Sequence, residues 1–235
     1  ATGDAQDHVI TLPLRGTHEP GCIVCALPFI RARDVLRSQP DQSAQDKQLA
    51  LQHAIQNTYQ QVHAAALEQQ AQLQQTLGRK LPIVATGHLF AAGGQTMDGD
   101  GVRELYVGSL ARVTAGSFPD CFDYLALGHL NVPQRVSGSA TMRYSGSPIA
   151  MGFGEAGQQK SVCRVTFQDR AASVERIEVP LFQQLECVRG DWDTIAGRLR
   201  ELAATGGQGW LEVVYEGDEI LGDLRERLEA AIADT

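Results

Sequence analysis

Three features of the sequence predict a mixed α/β fold, with some of its strands gathered as in α+β proteins. Short apolar runs such as LPIVATGHLF (81–90) and YLALG (124–128) have the length and composition of buried strands. The stretch Ser43–Leu77 keeps apolar residues at helical spacing over many turns. After Pro180 the pattern changes to strand, helix, strand, helix.

Taken in order, GCIVCALPFI (21–30) reads as the first strand, closed by Pro28 and followed by a basic, polar stretch with Arg31, Arg33 and Arg37. In the long helix Leu51, Ile55, Tyr59, Val62, Ala66, Leu73 and Leu77 form the apolar stripe, and Gly78 ends it. Its glutamine-rich remainder reads as a solvated face, and His53 and His63, ten residues apart and off a common face, read as surface residues. LPIVATGHLF is the next strand, and AAGGQTMDGDG (91–101) a glycine-rich loop. Arg103–Leu110 and Tyr124–Gly128 follow as strands. Residues 141–153, 161–167 and 173–179 read as antiparallel strands joined by turns. The tail gives ECVRG, DWDTIAGRLRELAA, GWLEVVYEG and ILGDLRERLEAAI, a compact β-α-β-α unit, so a boundary is placed near residue 180.

The net charge of −8 argues at first against a nucleic-acid partner, but it is unevenly spread. Residues 1–174 carry 14 Lys/Arg and 14 Asp/Glu, whereas residues 175–235 carry 6 and 14. The larger part is therefore neutral and leaves room for a phosphate-bearing partner. No apolar run approaches the length that crosses a bilayer. Five scattered cysteines (Cys22, Cys25, Cys121, Cys163 and Cys187) read as reduced thiols in a cytoplasm. Cys22-x-x-Cys25 has metal spacing, but no second pair completes a site, and core packing is the better reading. A chain that starts at Ala1, with methionine only at 97, 142 and 151, reads as a processed product or a fragment.

Two segments rhyme, IVATGH (83–88) and YLALGH (124–129), each an apolar strand ending in Gly-His. Ligands of α/β sheets gather at the carboxyl ends of strands, where glycine lets a ligand approach and histidine offers a neutral imidazole to a metal or phosphate. No G-x-x-x-x-G-K, H-E-x-x-H or G-x-S-x-G motif is present, and Cys121 has no activating partner in the pattern. Gly146-Ser147-Pro148 reads as a turn before it reads as a phosphate contact.

LPIVATGHLF, DYLALGHLNVPQ and RYSGSPIAMGFGE, in that order and spacing, resemble the later motifs of the SbcD family of bacterial nucleases. These are calcineurin-like metallophosphoesterases, related to the double-strand-break repair nucleases. ALPFIRARDVL (26–36) upstream and RVTF…VERIEVP downstream extend the similarity over nearly the whole chain. The resemblance implies that residues 1–180 are the later part of a metallophosphoesterase domain, a four-layer αββα sandwich. It makes residues 181–235 a small βαβα capping domain of the kind that orients DNA ends, truncated at its own end. It further implies a two-manganese site, with magnesium as the alternative, that hydrolyses DNA phosphodiester bonds. The implied partners are an SbcC-like ATPase, double-stranded DNA ends and hairpins, and a second copy in the complete protein. The resemblance also implies a cytoplasmic location and no membrane partner.

Matched to the family motifs, His88 and His129 would ligate one metal together. The family's Gly-His-x-His places a second-metal ligand where this chain has Asn131, a neutral and weaker donor. A larger departure is the lack of the family's Asp-x-His, Gly-Asp and Asn-His-Asp motifs, which supply the bridging carboxylate and the catalytic histidine. No catalytic residue is therefore assigned, and the chain by itself is expected to be inactive, a fragment beginning midway through the domain with one sheet edge unpaired. Two other readings stay open: a non-catalytic module that binds DNA or a partner through its acidic tail, and a phosphatase or nucleotidase of the same superfamily.

Overall fold

The computed structural model describes residues 4–35, 43–91, 118, 122–206 and 209–233. The chain packs as two compact units. The first takes the described residues up to Pro148 together with Ser161–Glu178; the second takes Ile149–Lys160 and the chain from Val179 onward.

The first unit is built on a six-stranded sheet in the order β1-β2-β3-β4-β6-β5. Its strands are β1 (Val9–Pro13), β2 (Pro20–Cys25), β3 (Ile83–His88), β4 (Tyr124–Gly128), β5 (Gln134–Arg135) and β6 (Met142–Tyr144). The central strands β2, β3, β4 and β6 run parallel, while β1 and β5 are antiparallel edges. One face of the sheet meets the long helix α2 (Ala44–Leu77), which follows the single turn α1 (Ala32–Val35). A separate antiparallel hairpin, β7 (Ser161–Gln168) with β8 (Ala171–Glu178), completes this unit. The second unit pairs β9 (Gln184–Gly190) in parallel with β10 (Gly209–Tyr215), and α3 (Trp192–Ala204) and α4 (Leu224–Ala233) follow them in turn. Val188, Ile195 and Leu199 form its small core.

The mixed α/β class read from the pattern is the class the structure has. The long helix begins where Ser43 caps it through a reciprocal pair with Asp46 and ends at Gly78, whose φ of +70° favours a residue without Cβ. Tyr124–Gly128 forms a strand as read. Other expectations are corrected. Residues 141–153 hold only the short β6, which lies parallel to β4 and antiparallel to β5, before a turn and a 3-10 segment at Phe153–Glu155. The hairpin partner β1 went unread, because VITLP carries no alternation strong enough to mark it. Cys22 and Cys25 are three apart in β2 and so point to opposite faces of the sheet, which rules out a shared metal. Burial pushes the Cys25 thiol up to about 12. The expected strand Arg103–Leu110, the glycine-rich loop after Ala91, Arg37 and Cys121 lie outside the described residues.

His63 is a further correction. His53 is exposed, but His63 is buried, with its ring edge-on to Phe122 at a centroid distance of 5.1 Å. It lies four residues after the buried Tyr59, so it shares the helix face that packs on the sheet. Desolvation holds its pKa below the ordinary 6.5, assisted by the Arg170 cation and opposed by Asp123. An unfolded chain therefore takes up a proton near pH 6.5 that the folded chain refuses, and stability falls as pH drops below that value. Denaturation midpoints at pH 7.5 and 5.5 should fall more steeply for the parent than for His63→Leu. Equal slopes would remove His63 from the acid response.

Candidate functional site

The parallel register pairs Gly87 with Leu127 and His88 with Gly128, so the two Gly-His steps end on adjacent strands. His88 and His129 meet there, with ring centroids 5.3 Å apart and planes inclined by 65°. Their outer sides are flanked by Phe29, edge-on to His88 at 5.7 Å, and by Phe90, 6.5 Å from His129. His88 is exposed at the strand end, yet the part of its ring that is buried lowers its pKa and favours the neutral imidazole. His129 has a φ of 111°, a backbone conformation that costs a non-glycine residue about 1–3 kcal/mol and persists where the surroundings impose it.

The two glycines serve different contacts. A Cβ on Gly128 would lie 3.2 Å from His88 Nδ1, so this glycine is the floor on which the His88 ring rests. A Cβ on Gly87 would overlap Tyr59 Oη, which donates to the Thr86 carbonyl at 3.0 Å. The backbone beyond His88 is held as well. Tyr144 Oη donates to the Leu89 carbonyl at 2.6 Å and accepts from the Ala91 N–H at 2.8 Å. Burial pushes the Tyr144 phenol up to about 12, so it keeps the proton it donates. Asn131 is half-buried two residues beyond His129, and its carbonyl accepts from the Ser147 N–H at 3.0 Å. Tyr59, read only as part of the apolar stripe, Gly146-Ser147, read only as a turn, and Tyr144 are thus the residues whose supporting role sequence reading missed. Their signal was faint, since a buried tyrosine reads as core until its hydroxyl partner is known.

Two imidazoles side by side can hold part of a transition-metal coordination shell. They do not close one here. Among the described residues no group of three or more histidine, cysteine, aspartate or glutamate side chains is placed to hold a metal ion. The pair and Asn131 lack a carboxylate to offset two divalent charges, so a two-manganese centre does not fit this donor set alone.

What the fold and site define is an α/β sheet with a parallel centre and a histidine pair at the carboxyl ends of two central strands, the place where such sheets bind ligands. Comparison with known proteins makes this specific. The chain is similar to the SbcD subunit of the nuclease SbcCD of Escherichia coli (strain K12), with 36% identity over 214 residues, covering 90% of this chain and 51% of that protein. The same figures hold for the SbcD subunit of Escherichia coli O157:H7. That of Bacillus subtilis (strain 168) is 45% identical over 80 residues, or 34% of this chain and 20% of that protein. Residues 181–235 match the SbcD_C family, described as the type 5 capsule protein repressor C-terminal domain. The resemblance read from the motifs therefore holds along most of the sequence, and the chain spans about half the length of the Escherichia coli relatives it matches.

Proposed function

We propose that this chain is the later part of an SbcD-like nuclease subunit, one that hydrolyses DNA phosphodiester bonds with manganese and works with an SbcC-like ATPase. The observation that carries the reading is the His88–His129 pair on adjacent strand ends, within a sequence similar to the SbcD subunit of SbcCD over 90% of its length. In this reading His88 and His129 furnish two ligands of one metal, Asn131 stands at a weakly held second one, and the carboxylate ligands come from an upstream half. Residues 181–235 act as the cap that orients DNA ends, and residues 1–180 as the phosphoesterase domain. No helix among the described residues is long and apolar enough to cross a membrane. Such a nuclease subunit would act in the cytoplasm, on duplex ends and hairpins.

Joining the chain to an upstream half that carries Asp-x-His, Gly-Asp and Asn-His-Asp should yield manganese-dependent cleavage of linear duplex DNA. His88→Ala should lower that rate by about a hundredfold or more, as loss of a metal ligand or its support does. The chain by itself should show no cleavage. Strong manganese-dependent cleavage by the chain alone, surviving His88→Ala, would sink the assignment. A second reading, a non-catalytic binding module, is favoured by one observation: Asn131 in place of a histidine, within a donor set that does not close. It requires manganese affinity to stay unchanged when the upstream half is joined, where the nuclease reading requires a large gain.

A further inference from the structure

One four-residue stretch, Tyr144–Ser147, reaches both histidine loops. At its start Tyr144, fully buried, bonds the backbone just beyond His88 through the Leu89 carbonyl and the Ala91 N–H. At its end the Ser147 N–H bonds the Asn131 carbonyl, two residues beyond His129. Between them Gly146 has a φ of +79° and lies so close to the second loop that a Cβ would sit 2.7 Å from the Asn131 oxygen and 2.8 Å from Pro133 Cδ. Beyond the strand ladder, one bond between the two loops is a long one, Leu89 N–H to the Gly128 carbonyl at 3.4 Å. The end of β6 and the turn after it are thus tied to both loops, adding to the strand ladder and the ring contact that already join them.

We infer that Tyr144–Ser147 is a clasp fixing the spacing of His88 and His129, so that Tyr144 and Gly146 are positioning residues for this site. The functional meaning of that spacing rests on the nuclease reading; the mechanical coupling does not. A tyrosine that merely filled the core would, on losing its hydroxyl, disturb its own neighbours and the thermal midpoint. A clasp transmits the loss across to the other loop, about one strand away. The coupling runs both ways, because each loop is held against the same four residues.

The experiment is imidazole and amide NMR on the full chain and on Tyr144→Phe, which keeps the ring and removes both hydroxyl bonds. The expected result is a shift of the His129 ring resonances together with those of His88. Hydrogen-exchange protection at the Ser147 amide should fall by about tenfold. Gly146→Ala should act in reverse, lowering protection at the Ala91 amide. If that variant does not fold, Tyr144→Phe alone decides. Should Tyr144→Phe disturb only residues around Leu89–Ala91, leaving the His129 ring and the Ser147 amide as in the parent, the clasp is overturned. Manganese chloride added to the chain joined to its upstream half reads the nuclease assignment separately: no paramagnetic broadening at either ring there counts against that assignment and leaves the clasp standing.

Discussion

Gly87→Ala is expected to destabilise the sheet-bearing unit by about 3 kcal/mol, through overpacking and a broken buried hydrogen bond. The new methyl would overlap Tyr59 Oη and lie 3.2 Å from Leu127 Cδ2. Neither neighbour has room to retreat, since Tyr59 is 1% and Leu127 4% exposed. Displacing Tyr59 also strands the Thr86 carbonyl it serves and loosens its edge-on contact with Phe118 at 5.0 Å. Chemical denaturation of Gly87→Ala, Tyr59→Phe and the double variant would test this. Without the hydroxyl the methyl has space, so the double variant should be more stable than the sum of the single losses predicts. Strict additivity, or a Gly87→Ala cost below about 0.5 kcal/mol, the range of inert surface changes, would show that the glycine is not there for Tyr59.

A second large effect is expected in the other unit. Lys160 Nζ meets Glu155 Oε1 at 2.6 Å with both side chains buried, and Glu155 Oε2 accepts the Met151 N–H at 2.5 Å. Gln158 supplies a further acceptor to the same ammonium at 3.3 Å. Removing one charge leaves the other desolvated without its counter-charge, so Lys160→Met should cost about 3–5 kcal/mol. Glu155→Gln added to Lys160→Met retains an oxygen for Met151 and removes the stranded charge. That double variant should recover most of the loss, because a buried pair contributes little net stability compared with neutral packing. Thermal or urea unfolding of the three proteins measures it. A double variant as unstable as Lys160→Met would mean that the cost comes from lost packing of the lysine stem.

Much of the site was legible because its signal is local. An apolar run that ends in Gly-His announces a parallel strand and what stands at its carboxyl end, and both runs formed the strands read for them. Their adjacency came only from the family resemblance and not from the runs themselves, since pairing between segments some forty residues apart depends on the whole sheet. The direction of β6 escaped for the same reason: three residues cannot show whether their partner runs with or against them. His63 could have been found by counting four residues on from Tyr59, but a histidine amid glutamines reads as polar surface. Gln70 was hidden likewise. It lies on the buried face, where its amide donates to the Leu81 carbonyl at 2.5 Å, a use of glutamine that composition does not reveal. The clasp was beyond reach, because the Tyr144 hydroxyl and the Ser147 N–H find their partners in backbone groups that only the folded sheet brings near.

The second unit is written into the chain in two pieces, with the β7–β8 hairpin between them. A ribosome therefore releases Ile149–Lys160 well before β9, the strand against which the Phe153–Glu155 turn packs. At a synthesis rate of about 5–20 residues per second the early piece stays without that strand for on the order of seconds. During that interval Glu155 and Lys160 are hydrated, and the hairpin, whose two strands pair with each other across a short turn, can close first. A gene fragment cut at residue 180 would make the separation permanent, delivering β9, α3, β10 and α4 without the turn that packs on them.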